Sequence, residues 1–318
     1  MRYLAKRLVF AAALVFAVSS ASLVLARLAP GDYVTTTLGI DARQETAARA
    51  RARYGLDRSL AAQYREWLAG AIRLDFGRSL LFDAPVGPLV RERALNTALL
   101  AVTALLLATL IGLPLGVVTG SRRGGLAPAA IRVCSVVLLS LPPLLTSLLL
   151  VFVAARTGWF PVGGMRSVRA ASAWSDVGWH LIVPSVALAL PIAAMFERLQ
   201  SQAMSEAAAE PYVLAALARG VPRRRIAWRD ALKPALGPVA AIYGLVVGTL
   251  LSGSFAVEIV TAWPGLGRLM LDALLARDIY LVAGCAAAGS VFLAAGTLLS
   301  DVALAALDPR IAEGEAEA

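Results

Sequence analysis

Glu206–Pro238, EAAAEPYVLAALARGVPRRRIAWRDALKPALGP, lies between two long apolar runs, carries a dense basic load, and holds a short helix stopped by Gly220. Pro211 suits the first turn of a helix, where its missing N–H is not needed, and Gly220 followed by Pro222 reads as a C-terminal stop. The spacing predicts a helix of about three turns between them. Tyr212, Val213, Leu214, Ala215, Ala216, Leu217 and Ala218 leave it almost no polar face. Such a helix gains nothing from facing water, so in a loop outside a bilayer it is expected to bury itself against another protein.

Working outward, the chain is 59% hydrophobic and only 16% charged, far more apolar than a soluble domain. Six windows match, to within a residue or two, the roughly 17–25 residues that cross a bilayer as a helix, the fourth being the shortest. They are Leu8–Leu28, Leu95–Val118, Ala129–Ala154, Leu181–Phe196, Leu236–Val257 and Leu281–Leu307. The expected fold is therefore all-α, a polytopic membrane protein with six transmembrane helices and a long segment after the first. The first window has the basic flank of a secretory signal (Arg2, Lys6, Arg7), but its apolar run is longer than a cleavable core of about 7–15 residues, which favours a retained span. The fourth window contains Pro184 and Pro191. Neighbouring helices must re-satisfy the carbonyls freed there, which predicts an interior position.

Lysine and arginine set the orientation. Arg2, Lys6 and Arg7 precede the first span, Arg122 and Arg123 follow the second, and Arg219, Arg223, Arg224, Arg225, Arg229 and Lys233 lie between the fourth and fifth. With six spans all three groups fall on one side, which the positive-inside rule makes cytoplasmic. Residues 30–93 are also arginine-rich, yet Asp32, Asp41, Glu45, Asp57, Glu66, Asp75, Asp83 and Glu92 offset most of that charge, and long loops translocate largely regardless of it. The net charge of +9 reads as membrane topology and contact with acidic membrane lipids, not nucleic-acid binding, because no basic helix carries interleaved stacking aromatics.

No G-x-x-x-x-G-K-[ST] loop occurs, so ATP hydrolysis of the P-loop kind is not expected in this chain. H-E-x-x-H and G-x-S-x-G are absent too, which speaks against an enzyme. An ion-driven carrier would place ionisable groups near the bilayer midplane, whereas Arg132, Glu197, Glu258 and Asp301 fall towards the ends of their windows. Cys134 and Cys285 sit in apolar windows as small hydrophobes, and His180, the single histidine, reads as an interfacial residue with no partners for a metal. In the outer segment Gln44–Arg53 is helix-forming. Leu60, Tyr64, Trp67, Leu68 and Ile72 recur at helical spacing, a face suited either to self-packing or to the outer mouth or a binding protein.

Several fragments now stand in a telling order. They are Arg27-Leu28-Ala29-Pro30-Gly31-Asp32, Tyr54-Gly55-Leu56-Asp57, Gln63-Tyr64, Trp67-Leu68 and Asp75-Phe76-Gly77-Arg78-Ser79, followed near the end by Trp263-Pro264-Gly265-Leu266-Gly267-Arg268-Leu269 and Leu307-Asp308-Pro309-Arg310. Together they resemble the integral membrane subunits of ABC importers, specifically the dipeptide/oligopeptide permease family, over nearly the whole chain. The resemblance implies a type I importer permease in a bacterial plasma (inner) membrane, both termini cytoplasmic. It pairs there with a second homologous permease, two ATPase subunits and an extracytoplasmic solute-binding protein. ATP and Mg would be bound by the ATPase subunits and no cofactor by this chain.

The family's cytoplasmic signature ends a short ATPase-docking helix with a glycine, and its spacing assigns Leu214, Ala215, Ala216 and Gly220, with Tyr212 on the same helix and Glu206 a turn or two upstream. The literal Glu206-Ala207-Ala208 is not that signature. The sequence departs from the pattern at Leu214, commonly acidic or polar, and at Pro211, commonly aspartate. By the same resemblance Trp263, Pro264, Gly265, Gly267 and Arg268 would form an outer gate continuing into a short helix over Leu269–Leu275. Read as residues alone they make a tight outer turn with a tryptophan anchored at the interface. The implied organisation is 1–29 first transmembrane helix, 30–93 extracytoplasmic segment, 94–310 five-helix core with a coupling loop at 200–235, and 311–318 cytoplasmic tail. A secondary carrier, a structural membrane anchor, or a permease for nickel or glutathione remain as alternatives.

Overall fold

The computed structural model describes residues 2–38, 44–122, 124–167 and 174–307. Asp308, Pro309 and Arg310 and the tail 311–318 lie outside the described residues. The first helices are α1 (Arg2–Leu28), α2 (Tyr33–Leu38), α3 (Gln44–Arg53), α4 (Leu60–Ala71) and α5 (Val86–Ser121). There follow α6 (Leu126–Ser140), α7 (Pro143–Thr157), α8 (Trp174–Ala207), α9 (Pro211–Ala218) and α10 (Arg223–Arg225). A π-helical turn (Ile226–Ala231) leads into α11 (Leu232–Ala235), α12 (Gly237–Val260), α13 (Leu266–Leu275) and α14 (Ile279–Leu307). Among the described residues there is no strand, only one isolated bridge between Arg78 and Pro85.

Five of these helices are long and apolar enough to cross a membrane: α1, α5, α8, α12 and α14. The third window is not one helix. α6 and α7 meet at a bend of 106°. Pro142 and Pro143 both lack an N–H, and each drives the residue before it out of the helical region. Leu141 accordingly sits at φ −91°, ψ 119° and Pro142 at φ −62°, ψ 147°. In α8 the opposite happens. It runs unbroken through Pro184 and Pro191, and 67% of its apolar window is buried, the highest share of the five. The interior position expected for the fourth window is what the structure has.

The chain divides into two compact units, 1–98 with 264–294, and 99–263 with 295–318. In the first, Trp67 of α4 packs with Leu23 and Ala283, flanked by Tyr64, Leu68 and Phe76, and the Tyr64 hydroxyl donates to Ser20 Oγ at 3.1 Å. The amphipathic face of α4 is thus spent on self-packing, apart from Ile72, which is exposed. The arginine and aspartate of the Arg27–Asp32 fragment are structural. Arg27 donates to the Leu56 carbonyl at 3.0 Å, and Asp32 caps α2 through the Thr35 N–H at 2.8 Å and pairs with Arg51 at 2.6 Å. Partial burial works to raise the Asp32 carboxyl, but hydrogen bonds from Arg51 and Thr35 outweigh it and hold the group below the usual carboxylate range.

A residue outside every fragment ties the same unit together. Asp278, fully buried, accepts from Ser79 Oγ at 2.6 Å, from the Leu81 N–H at 3.0 Å and from the Leu281 N–H at 3.1 Å. Removing the acceptor leaves three donors short of a partner. Asp278→Ala is expected to cost about 2–3 kcal/mol, and Asp278→Asn, which keeps one acceptor oxygen, less. Limited proteolysis of the 30–93 segment measures it. Cleavage of the Asp278→Ala chain at the wild-type rate would show that the buried aspartate holds nothing.

In the second unit α8 is central, contacted by α6, α7, α12 and the turn 226–235. Its approach to α5 depends on Gly112, Gly116 and Gly120, one per helical turn. A β-carbon at Gly112 would lie 2.5 Å from the Ala193 carbonyl oxygen, and one at Gly116 2.5 Å from Gln200 Cβ and 2.7 Å from the Glu197 carbonyl. Only glycine permits that contact. Thr119 Oγ1 on the same face donates to Glu197 Oε1 at 2.5 Å, while Glu197 Oε2 and both polar atoms of Gln200 are buried with no partner among the described residues. Glu197 lies within α8, ten residues before its end at Ala207.

Candidate functional site

α9 has eight residues, about two turns rather than three. Glu210 occupies the N-cap with Pro211 behind it, and the C-terminal end is used up in a closing turn. There the Gly220 N–H donates to the Leu217 carbonyl at 2.9 Å and the Val221 N–H to the Ala216 carbonyl at 3.1 Å. This pair of bonds satisfies two otherwise orphaned carbonyls and requires a left-handed residue, and Gly220 has φ +76°. Val221 then folds back onto a buried cluster of Val213, Ala216 and Ile226. Ile226 opens the π-helical turn, whose Ala227 and Ala231 pack against Val117, Ala203, Met204 and Ala207. α9 is thereby clipped to the body of the second unit.

The clip decides which side of α9 is free. Tyr212 is 45% exposed and Leu214 54%, with Ala215, Leu217 and Ala218 also turned out. Ala216, assigned with Leu214 and Ala215 to a partner contact, instead faces inward at 8% exposure. The reason is Ile226, which gives the helix an inner side that its own composition does not mark. Glu206 belongs to the last turn of α8, where it accepts from Gln202 Nε2 at 3.1 Å.

The turn at 262–266 is held by both backbone and side-chain hydrogen bonds. In the second unit Trp263 is completely buried in the large apolar cluster around α8, so it is a core residue and not an interfacial anchor. Its N–H donates to the Glu258 carbonyl at 2.9 Å, and Ala262 before it takes φ +50°. In the first unit the Pro264 carbonyl accepts from Asn96 Nδ2 at 2.8 Å and the Leu266 N–H donates to Thr97 Oγ1 at 2.7 Å. Gly265 is the N-cap of α13, a helix that starts three residues before the expected Leu269 and ends with it at Leu275. Gly267 is buried and Arg268 exposed on that helix. Asn96, Thr97 and Asp278 carry no sequence signal of their own. The Gly112, Gly116 and Gly120 spacing did carry one, a small residue every fourth position in an apolar run.

Residues 112–313 match the family model described as the binding-protein-dependent transport system inner membrane component, and residues 1–84 match the N-terminal model of such membrane components. The oligopeptide transport system permease protein AppB of Bacillus subtilis (strain 168) is 30% identical over 311 residues, covering 97% of this chain and 98% of that protein. The oligopeptide transport system permease protein OppB of Mycobacterium bovis is 34% identical over 268 residues, covering 81% of this chain and 82% of that protein.

Proposed function

Because this chain belongs to the binding-protein-dependent transport inner membrane component family and is a permease subunit of an ABC importer, we propose that it carries peptides inward, with α9 as the helix that docks an ATPase subunit. The oligopeptide systems of its relatives support the cargo. The exposed apolar side of α9, with Tyr212, Leu214 and Ala215 held out by a rigid clip at Gly220, supports the docking. A surface of that composition is stable when a second protein covers it. In this reading a second homologous permease completes the passage, a solute-binding protein delivers the peptide outside, and two ATPase subunits bind ATP and Mg on the cytoplasmic side. The outer gate is assigned to Trp263, Pro264, Gly265, Gly267 and Arg268, where α13 begins.

Two measurements test this. Pull-down of the solubilised chain is expected to bring an ATPase subunit with it, and Ala215→Asp, an exposed position, is expected to lose that partner while inserting normally. Single cysteines at Asp57 and Asp272 are expected to label from outside the cell, and one at Arg224 only after permeabilisation, as the positive-inside rule requires. Outside labelling at Arg224 would put α9 on the wrong face for an ATPase.

A further inference from the structure

We propose that the groove beneath α9 is a binding site for an anionic phospholipid, its phosphate held by Arg122 and Arg224 and its acyl chains lying on Val117, Leu214, Leu217 and Trp228. The groove has a volume of about 940 Å³ and is bounded by the ends of α5 and α8, by α9, and by the π-helical turn. That is the upper end of the roughly 300–1,000 Å³ that ligand sites occupy. Its position follows from the fold. α5 ends at Ser121, three residues past its apolar window, which closes at Val118, and Gly120 packs on Ser201 and Met204 of α8, so the groove opens where the apolar run of α5 gives out, the level of the headgroups.

Charge selects the lipid. Arg122 and Arg224 line the groove, both exposed, and neither has an ion pair or side-chain hydrogen bond among the described residues. Among the described residues no carboxylate lines it. Unpaired guanidinium groups beside an apolar floor fit a phosphate joined to acyl chains, since arginine forks onto phosphate oxygens and basic pockets between spans hold anionic headgroups. Trp228, 45% exposed, is the aromatic that meets both, an amphipathic ring suited to the boundary between chain and headgroup. The π-helical turn that carries it is a local departure from helix geometry of the kind that often marks a functional site. The proposal needs only that the chain spans a membrane. A docking ATPase subunit, which would cover Leu214 on the free side of α9, is the rival occupant of the groove, so the lipid is expected on the chain without its ATPase.

The test uses the full chain alone in phosphatidylcholine nanodiscs doped with acyl-brominated phosphatidylglycerol or acyl-brominated phosphatidylcholine. Bromine quenches nearby tryptophan, and subtraction of the Trp228→Phe signal isolates Trp228 from the other five tryptophans of the six. Phosphatidylglycerol is expected to reach half-quenching at a lipid fraction on the order of tenfold lower than phosphatidylcholine, the preference two arginines near the surface supply. Arg122→Gln with Arg224→Gln should erase it, and Arg122→Lys with Arg224→Lys should keep most of it. Equal quenching by the two lipids, or a preference that survives the double glutamine substitution, overturns the site. With no ATPase present, failure here leaves the docking assay untouched, and a failed pull-down leaves this result untouched.

Discussion

Gly116→Leu is expected to prevent the chain from accumulating as a folded membrane protein, the largest stability effect of any substitution considered. A β-carbon at that position would meet Gln200 Cβ at 2.5 Å and the Glu197 carbonyl oxygen at 2.7 Å, both on α8. One of the two obstacles is backbone and cannot swing aside. α5 and α8 must therefore separate, and separation also breaks the buried bond between Thr119 and Glu197. Overpacking alone costs typically 1–3 kcal/mol, occasionally more, and a buried glutamate left without its donor adds to it. A loss of about 3 kcal/mol or more follows, visible as reduced membrane content and a lowered melting temperature in detergent. Gly289→Ala is the control. Its β-carbon meets nothing within 4 Å on a helix of the same length class, so it should be neutral or slightly stabilising. If the Gly116→Leu chain melts with the wild type, the close approach of α5 to α8 is not what holds the second unit.

The spans were legible because an apolar run long enough to cross a bilayer has few other uses in a chain this hydrophobic. What hydropathy does not weigh is the backbone. Leu141 to Pro143 reads as apolar as its surroundings, yet two adjacent missing N–H groups turn one expected span into two helices at 106°. Pro184 and Pro191 carry the same chemistry with the opposite result, because α6, α7 and α12 enclose that helix. Burial decides between breaking and tolerating, and burial is not in the local sequence. The candidate site shows the same limit on a smaller scale. That α9 exists, where it stops and that Gly220 ends it were readable from Pro211, Gly220 and Pro222. Which alanine faces out was not, since a helix apolar on all sides has no marked face, and only contact with Ile226 turns Ala216 in and leaves Ala215 out. Asp278 was hidden for another reason. Its partner Ser79 lies 199 positions away, so nothing near either residue announces the bond.

Gly220→Val is expected to leave the chain inserted and folded while cutting peptide transport and peptide-stimulated ATP hydrolysis by the assembled complex on the order of tenfold. The cause is backbone, not crowding. Nothing lies within 4 Å of where the β-carbon would go, but φ at +76° is a conformation that costs a β-branched residue roughly 1–2 kcal/mol or more. The turn relieves that strain by giving up the bonds from Gly220 to Leu217 and from Val221 to Ala216, and the end of α9 is then no longer clipped over Ile226. A shift of about 1.4 kcal/mol in favour of the unclipped arrangement is already tenfold in population. The substitution series separates this from a general effect of side-chain size. Gly220→Asn, which tolerates the left-handed region, should retain most transport although asparagine is as bulky as many residues that fail. Ala215→Asp should leave the turn intact and still lose coupling, because a charge on the exposed side must be desolvated on docking. Ala216→Asp should instead disorder the turn itself, since that side chain is buried within the chain. Transport by the Gly220→Val and Ala215→Asp complexes at the wild-type rate would mean that ATPase motion enters the permease somewhere other than α9.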